Sequence, residues 1–312
     1  MFEIRRYSAE RKQEWDAYVS AARNATFLFY RDYMDYHACR FSDHSLMFYR
    51  AGKLHSLLPA HSVQQTFCSH SGLTYGGLIM DAHVTAADTC SLFAELNGYL
   101  RGHGFNHVVY RPIPWIYHRL PSEEDLYAIF QQCHARLAVR NISTALPIQQ
   151  QVRWRNGHRY MLNKAENQGV TVKRGADLAE FWPLLEANLV ERYHAHPVHS
   201  LQEIQLLQAR FPQNIIQYSA YHDGAIIGGI TLYLSPRVVH TQYISTNSEG
   251  KRLGAIESIC RQLICCDYST HLYLDFGTST VDNGRVLNTG LIGNKEGYGG
   301  RAVVYDTYEW DL

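Results

Sequence analysis

The chain has no excess of charge of either sign and no long apolar run. Its 312 residues include 29 Lys and Arg and 29 Asp and Glu, so the formal net charge is +0 at pH 7. This balance excludes the strong positive field of proteins that bind duplex DNA non-specifically, and we predict no DNA partner. The longest apolar run, around Ala225–Leu234, is interrupted by glycines and is much shorter than the ~20 residues that span a bilayer.

Cysteine pairs and several signature motifs are also missing. The 7 cysteines form an odd set without a CxxC pair, which suits neither a disulfide framework nor a zinc ribbon. His194, His196 and His199 lie close together, but Pro197 interrupts them and we predict no metal site. No GxSxG elbow or Walker A sequence is present, which argues against serine hydrolases and phosphate-loop enzymes.

The composition is that of a folded, soluble protein. Hydrophobic residues make up 46% of the chain and charged residues 19%, which excludes disorder and, at this length, suggests about two domains. The segment Met1–Arg11 is charged where a secretion signal would be apolar. We therefore expect a cytoplasmic protein, either free or peripheral at the inner face of the membrane.

The order of secondary-structure signals is the same in both halves, with an offset of about 160 to 173 positions. In the second half, Ser200 with Glu203 resembles a capping box, and Asp223-Gly224 favours a type I′ hairpin turn. The strands predicted there are Val170–Arg174, Asn214–His222, Ala225–Leu234, Val238–Thr246, His271–Phe276 and Ala302–Tyr308. Four helices are predicted: two that begin at Asp177 and Ser200, and two that span Lys251–Asp267 and Asp282–Ile292. In the first half the predicted strands are Phe2–Tyr7, Ser45–Arg50, Lys53–His61, Val63–Cys68, Phe105–Tyr110 and Leu137–Thr144, and the helices begin at Ser8, Tyr30, Thr85 and Ser122.

This β-α-α-β-β-β-α-β-α-β order resembles that of the GNAT acyltransferase fold. It predicts an α/β (α+β) protein of two tandem GNAT-like domains, each with a mixed, largely antiparallel sheet flanked by helices. We expect an N-terminal domain over residues 1–148 on the acceptor side and a C-terminal domain over residues 170–312 with the donor side and the chemistry. A basic connecting segment, residues 149–169, joins them.

Short segments along most of the chain carry a closer resemblance. They are Thr26–Phe29, Tyr33–His37, Leu73–Leu78, Pro112–Tyr117, Glu123–Asp125, Pro197–Ser200, His240–Tyr243, Asp275–Ser279 and Asn294–Gly300. In order and spacing they resemble the Fem-type tandem-GNAT acyltransferases, whose known members attach amino acids to the peptidoglycan precursor. The resemblance implies direct acyl transfer to an amine or hydroxyl, without a covalent enzyme intermediate.

The resemblance also implies a role for Lys295, which matches a lysine at the reacting carbonyl of Fem-type enzymes. A lysine there could stabilise the oxyanion of the tetrahedral transition state or bind phosphates of the donor. The alternative is a solvated lysine in a Gly-rich loop. Tyr298, three residues later, could protonate the leaving group, or it could pack in the core.

The expected donor is acyl-CoA as co-substrate, with no tightly bound cofactor and aminoacyl-tRNA as the competing donor. Single GNAT domains hold the CoA pyrophosphate on a Gln/Arg-x-x-Gly-x-Gly/Ala loop at a helix N-terminus. The matching stretch here is Glu249–Ala255, in which Gly250, Lys251, Arg252, Gly254 and Ala255 are the predicted cofactor-binding residues. Glu249 departs from the pattern because Gln or Arg is usual at its position.

The predicted acid–base groups lie where the fourth and fifth strands of the second domain would splay apart. His240 is a candidate base, and Gln242, two residues later, shares its strand face. Asp275 ends the next strand. Each has a structural alternative: a histidine bonded to backbone for His240, and a helix cap or turn residue for Asp275.

Basic residues predict where an anionic acceptor binds. Arg153, Arg155 and Arg159 suit a sugar nucleotide or a lipid-linked diphosphate, because guanidinium groups bind phosphate through paired hydrogen bonds; the alternative is a solvated linker helix. Arg192 is a second candidate anchor, and Tyr75, in the glycine-rich loop of the first half, would line the acceptor cleft between the domains.

Together these features predict an acyltransferase that acylates an amine of a small cell-envelope or polysaccharide precursor. Two rivals stay open. A catalytically inert protein with the same fold could bind or scaffold a glycan precursor, and the degenerate Glu249–Ala255 loop favours that idea while Lys295 opposes it. An RNA-binding module is weaker, because basic and aromatic residues do not alternate.

Overall fold

The computed structural model describes residues 1–150 and 152–312, with all side chains in those ranges except those of residues 192 and 193. The chain separates into two compact units. The first unit comprises Met1–Ile142, Thr280–Val286 and Val304–Leu312, and the second unit comprises Ser143–Ser279 and Leu287–Val303. None of the described helices combines the length and apolarity needed to cross a membrane.

The first unit has two sheets with helices against them. One sheet is antiparallel with the strand order β1-β3-β4-β7, and the other has the order β17-β8-β6-β5-β2, in which only β6 and β8 run parallel. Its elements are β1 Glu3–Arg6, α1 Lys12–Ala21, α2 Arg31–Met34, β2 Ser42–Asp43, β3 Leu46–Arg50, β4 Lys53–Leu58, β5 Ala60–Val63, β6 Thr66–Ser69, β7 Ile79–Met80, α3 Ala86–Gly102, β8 His107–Tyr110 and α4 Glu124–Cys133.

The second unit has one mixed sheet with the strand order β10-β11-β12-β13-β14-β9. Every pair in it is antiparallel except β13 and β14, which run parallel. The elements from β9 onward are β9 Arg136–Pro147, α5 Asn156–Asn167, β10 Thr171–Arg174, α6 Leu178–Tyr193, α7 Leu201–Arg210, β11 Ile215–His222, β12 Ala225–Leu234, β13 Val238–Thr246, α8 Ser248–Leu253, α9 Ala255–Gln262, β14 Tyr273–Thr278, β15 Thr280–Val281, β16 Val286–Leu287, α10 Thr289–Gly297 and β17 Arg301–Asp311.

The meander of the second unit confirms the sequence prediction. Strands β12 and β13 begin and end at the predicted residues, and Asp223 and Gly224 between β11 and β12 have positive φ angles of 49° and 78°. Two consecutive positive φ values are what a type I′ turn requires. The predicted capping box is also present, since Ser200 accepts from the backbone N–H of Glu203 and the Glu203 side chain accepts from that of Ser200.

Two predicted helices are wrong in extent. The stretch Asp282–Ile292 begins with the turn of the β15–β16 hairpin and with β16, because Asp282, Asn283 and Gly284 all have positive φ angles that no helix tolerates. Helix α10 begins only at Thr289. The predicted helix Lys251–Asp267 is broken at Gly254, whose φ is +80°, into α8 and α9, and it ends in a π-helical turn at Leu263–Asp267.

Each unit has its own hydrophobic core. The core of the second unit packs α8 and α9 on one face of the sheet, through residues such as Leu253, Ile259, Leu274 and Phe276. The core of the first unit packs α3 and α4 in the same way, around Phe93 and Ile129. Separate cores of this kind are what define independent domains.

Three buried histidines form a cluster in the first unit. The rings of His37 and His61 each lie 5.4 Å from the ring of His70, and Phe41 packs against all three. Burial lowers the pKa of His70 from 6.5 to about 3, with smaller contributions from the neighbouring His61 and His37. The folded first unit therefore requires this ring to be neutral.

The buried cluster predicts acid sensitivity. The folded-state pKa of His70 lies below its unfolded value, so stability is full above pH 6.5 and is lost as the pH falls toward the folded-state pKa of about 3. Replacing His70 with Asn keeps an acceptor for the Gly72 N–H and removes the titrating ring. When the pH is lowered from 6.5 to 4.5, we expect the wild type to lose more free energy of unfolding than His70→Asn does. The expected difference between the two losses is about 2 to 3 kcal/mol. Urea denaturation at both pH values checks this, and equal losses in the two proteins would contradict it.

Candidate active site

The parallel pair β13 and β14 stops at the two residues predicted to carry acid–base chemistry. Val238 pairs with Tyr273 and Val239 with Leu274, and the last pair is His240 with Asp275. Beyond it, β14 pairs only with β9, and its register shifts between Asp275 and Thr278. The two strands therefore separate just past His240 and Asp275.

His240 and Asp275 form a hydrogen-bonded pair at this point. Nδ1 of His240 lies 2.9 Å from Oδ2 of Asp275, whose side chain is fully buried, while 13% of the His240 side chain is exposed. The carboxylate also accepts from Ser143 Oγ at 2.5 Å and from the Gly277 N–H at 3.1 Å. Because a carboxylate only accepts, Nδ1 of His240 carries the proton of the shared bond, and Nε2 is the ring nitrogen able to take up another.

Lys295 lies against the same end of β14. Helix α10 carries it, and the side chain of Asn288 caps that helix by accepting from the Leu291 N–H. The ammonium donates to the carbonyl oxygens of Gly277 at 2.8 Å and Thr278 at 2.9 Å, and only 6% of the residue is exposed. Burial lowers the pKa of Lys295 to about 8, and the charge of Asp275 opposes the shift.

Gly277 joins the two groups. Its carbonyl binds Lys295, its N–H binds Asp275, and a Cβ atom at its position would lie 3.6 Å from Cε1 of His240. Its φ of +73° is in the left-handed region that favours glycine. The register shift at the end of β14 thus brings Lys295 and the His240–Asp275 pair to one place in the second unit.

Helix α5 and its N-cap residue hold the last turn of α10 in place. Arg155 donates from Nη1 to the Gly293 carbonyl at 3.1 Å and from its backbone N–H to the Gly297 carbonyl at 2.8 Å. Nε2 of His158 lies 3.1 Å from the Asn294 carbonyl oxygen. Cationic and N–H groups at a helix C-terminus satisfy carbonyls that have no partner inside the helix. The predicted phosphate ligand Arg155 is thus engaged in holding the helix that carries Lys295.

Tyr298 lies in the core of the second unit. Its ring stacks on His158 at a centroid distance of 3.9 Å, and Trp154 and Phe276 pack on it at 5.0 and 5.2 Å. Its hydroxyl donates to Glu257 at 3.1 Å, and burial raises the pKa of Tyr298 well above its ordinary value. Of the two roles that the sequence left open for Tyr298, its contacts are those of a packing residue and not of a proton donor.

A β-bulge at Gln242 is the site feature that sequence reasoning missed. Thr241 pairs with Leu232 and Tyr243 with Thr231, so Gln242 is the extra residue of β13. A bulge breaks the alternation of side chains on which the shared face of His240 and Gln242 was predicted. Nothing in a strand of this composition signals where the extra residue falls.

The bulge leaves one polar group of Gln242 unsatisfied. Its side-chain Oε1 is buried and has no hydrogen-bond partner among the described residues.

The next residue, Tyr243, has its hydroxyl 2.6 Å from Nδ1 of His199, and burial raises the pKa of Tyr243 to about 12.

Three backbone N–H groups of the segment predicted to hold a pyrophosphate already have partners inside the protein. Gly250 donates to the Asn247 side chain at 2.8 Å, Lys251 to the Asn247 carbonyl at 3.1 Å, and Gly254 to the Gly250 carbonyl at 3.0 Å. Glu249 adds a carboxylate beside Arg252, with 3.4 Å between Oε1 and Nη2. These three N–H groups are therefore not free to bind a pyrophosphate, and Glu249 opposes the positive charge of Lys251 and Arg252.

Helix α5 also covers that segment. A Cβ atom at Gly254 would overlap the carbonyl oxygen of Met161 in α5, and one at Gly250 would overlap the carbonyl oxygen of Ile227. Ala255 begins α9 and is fully buried in the core. Gly254 and Ala255 are therefore buried away from any ligand in this arrangement, whereas Lys251 and Arg252 are exposed.

The other predicted binding residues lie in three places. Arg153 and Arg159 line an open groove of the second unit with a volume of about 920 Å³. Tyr75 is buried in the first unit, where its hydroxyl donates to Thr26 at 3.2 Å and its ring packs on Tyr117. The side chain of Arg192 lies outside the described part of the structure. No group of three or more His, Cys, Asp and Glu side chains in the described ranges is arranged to hold a metal ion.

Comparison with known proteins gives structural relatives only. No family model matches the chain, and no curated protein matches it in sequence. The crystal structure of FemX has a TM-score of 0.69 at 11% identity and covers 99% of this chain and 97% of its own. The structure of L-PGS from Bacillus licheniformis has a TM-score of 0.62 at 11% identity, covering 98% of this chain and 92% of its own. A tandem GNAT protein from the clavulanic acid biosynthesis pathway, solved without AcCoA, has a TM-score of 0.55 at 11% identity. It covers 100% of this chain and 98% of its own.

These likenesses, which extend over the whole chain, are likenesses of fold. The chain has a tandem GNAT fold of mixed, largely antiparallel sheets flanked by helices, which confirms the predicted fold class. Within that class its fold is Fem-like, as the short segments of sequence indicate.

The burial of Lys295 predicts a pH-dependent stability. Because its folded-state pKa of about 8 lies below the ordinary 10.5, the unfolded state binds more protons between these values, and stability rises with pH across the window. Lys295→Met removes the titration. We expect the free energy of unfolding of the wild type, measured relative to that of Lys295→Met, to increase by up to about 3 kcal/mol when the pH is raised from 7 to 10.5. Denaturant titrations at several pH values measure the difference, with Lys251→Met on exposed α8 as the control; a difference that does not change with pH would refute the burial argument.

Proposed function

We propose that the protein transfers an acyl or aminoacyl group from an activated ester to an amine. The observation that carries this proposal is the His240–Asp275 pair at the point where β13 and β14 separate, with the buried ammonium of Lys295 beside it. The Fem-like tandem GNAT fold supports the same class of reaction.

His240 is the proposed general base. An amine acceptor arrives as an ammonium and must lose a proton before its nitrogen can attack. Asp275 fixes the ring through Nδ1, so Nε2 takes up that proton, and the buried carboxylate stabilises the imidazolium that results. The amine nitrogen then bonds to the donor carbonyl carbon and gives up its second proton to water. The C–O bond of the ester breaks, and the ester oxygen leaves with the proton that the imidazolium returns.

Lys295 is the proposed electrostatic stabiliser. Two of its three N–H groups bind the Gly277 and Thr278 carbonyls, which leaves one for an oxyanion. A buried ammonium interacts with developing negative charge more strongly than a solvated one, because little water screens it.

The turn Gly250–Gly254 argues for a donor other than CoA, although Lys251 and Arg252 in it are exposed. The N–H groups of Gly250, Lys251 and Gly254 are engaged, Glu249 repels a pyrophosphate, and Met161 of α5 lies over Gly254. We therefore propose an aminoacyl ester, with aminoacyl-tRNA as the first candidate, in place of the CoA thioester that the loop pattern favours. The proposed acceptor is an amine on an anionic cell-envelope precursor, either small or lipid-linked.

Transfer assays with matched variants test the proposal. We expect transfer from labelled aminoacyl-tRNA to an amine acceptor, and none from acetyl-CoA or longer acyl-CoA. His240→Gln should lower kcat by about 10² to 10⁴, since it removes the base. Lys295→Met should lower kcat by about 10² to 10³, since it removes one oxyanion donor. Tyr298→Phe, which keeps the stacked ring, should change kcat little if Tyr298 only packs.

The outcomes separate the rival functions. Transfer from acyl-CoA would restore the CoA donor. Absence of transfer from every donor, with acceptor binding equal in wild type and Lys295→Met, would identify a binding or scaffold protein with this fold. Melting temperatures of all variants show whether a loss of activity is a loss of folding.

The rate should fall in alkaline solution. If the charged form of Lys295 is the active one, kcat/KM declines above its pKa of about 8 as the ammonium deprotonates. Lys295→Met should keep a low rate without this alkaline decline. A pH–rate profile of both proteins measures the effect, and a rate that rises through pH 8 in the wild type would show that the neutral amine is the active form.

A further inference from the structure

The open groove of the second unit carries charge that the proposed chemistry does not use. It has a volume of about 920 Å³. Its lining residues come from the end of β9, from the segment that joins β9 to α5, from α5, and from the end of α9 with the π-helical turn that follows. None of His240, Asp275 and Lys295 is among them. A volume of this size is in the range of small-molecule sites.

Three arginines in the lining lack acidic partners. Arg153, Arg159 and Arg261 form no ion pair with a carboxylate within the described residues, and Glu166 is the one acidic residue of the lining. Nη1 of Arg261 donates to Cys265 Sγ at 3.0 Å, a weak acceptor. Nε of Arg159 is buried and lacks a hydrogen-bond partner among the described residues. Guanidinium groups without carboxylates form a binding site for phosphate.

Aromatic rings and amides complete the groove. Trp154 is half-buried, and Tyr160 is 66% exposed. Gln150, Asn156 and Asn163 add amide groups that donate and accept hydrogen bonds. Exposed rings stack on nucleobases and amides bond to base edges, whereas a lipid tail would need neither.

We propose that this groove binds a nucleoside phosphate, with the arginines on its phosphates and Tyr160 or Trp154 against its base. The ligand could be a free nucleotide or the nucleotide end of an RNA, which share this chemistry. The groove replaces the α8 segment as the proposed phosphate site of the second unit. Arg153, Arg159 and Arg261 have no carboxylate partner there, although Arg159 donates through Nη2 to the Asn156 side chain, whereas Arg252 of α8 faces Glu249. The proposal stands on the groove alone, so it can hold if the proposed transfer reaction fails.

Cys265 provides a readout that does not depend on activity. It is exposed and lines the groove, while Cys266 and Cys39 are exposed but are not lining residues. The experiment measures the rate of maleimide labelling at each of the three cysteines by mass spectrometry, with and without ADP, UDP, the trinucleotide CCA, pyrophosphate, or vesicles of phosphatidylglycerol. We expect ADP, UDP or CCA to slow labelling of Cys265 and to leave Cys266 and Cys39 unchanged.

Variants on the groove and on α8 locate the ligand. Arg153→Gln with Arg261→Gln should weaken protection by about tenfold or more, and Tyr160→Ala by about tenfold, as expected for lost phosphate and stacking contacts. Arg252→Gln, on exposed α8, is the matched control and should leave protection within about twofold of the wild type. A thermal melt of each variant shows that it is folded.

The comparison of ligands decides the class. Protection by CCA that exceeds ADP and UDP would identify an RNA end, and the reverse would identify a free nucleotide; both support the proposal. Protection by pyrophosphate alone that equals ADP, or by vesicles and no nucleotide, would overturn it. So would absence of protection by any nucleotide at millimolar concentration, or protection that depends on Arg252 and not on Arg153 and Arg261.

Discussion

The second unit depends on how one buried carboxylate is satisfied. Asp275 has no exposed surface, so its charge must be matched inside the protein, and Ser143 Oγ, the Gly277 N–H and His240 Nδ1 do this. Each donor comes from a different stretch of chain: β9, the end of β14 and β13. Satisfying the carboxylate therefore fixes three segments at once, and it orients the imidazole that the proposed reaction uses. The same Gly277 offers its carbonyl to Lys295, so the structural constraint and the proposed chemistry share their atoms.

Helix α5 has two effects with one physical origin. It lies between α9 and α10, where His158 is 2.9 Å from Glu257 of α9 and 3.1 Å from the Asn294 carbonyl of α10. By holding the last turn of α10 it fixes the helix that carries Lys295. By packing Met161 over Gly254 it closes the turn at which a pyrophosphate would bind. A helix that looks like a basic linker in the sequence thus becomes part of the support of the candidate site.

The arginines of the basic segment have different environments although they are close in sequence. Arg155 binds carbonyls at the end of α10, whereas Arg153 and Arg159 line the groove with Arg261, which comes from α9, about a hundred residues away. Charge in the sequence therefore suggested an anion site, and the packing of the α5 N-terminus against α10 decided that Arg155 is engaged elsewhere. The groove and the His240–Asp275 pair are two separate proposed places for ligand chemistry in one unit.

The sequence by itself determined the duplicated element order, the bounds of β12 and β13 and the hairpin at Asp223-Gly224. These features follow from periodicity and turn chemistry, which are local. The strand order of the predicted fold placed His240 and Asp275 where two strands separate, and the structure showed that those strands run parallel. The bulge at Gln242, the break at Gly254, the start of α10 and the packing of Tyr298 were decided by the tertiary structure. Each depends on a partner distant in the chain, such as Leu232 opposite the bulge or Met161 above Gly254, and the pattern within a segment does not encode that partner. For the same reason, the burial that lowers the pKa of Lys295 could not be read from its glycine-rich surroundings in sequence.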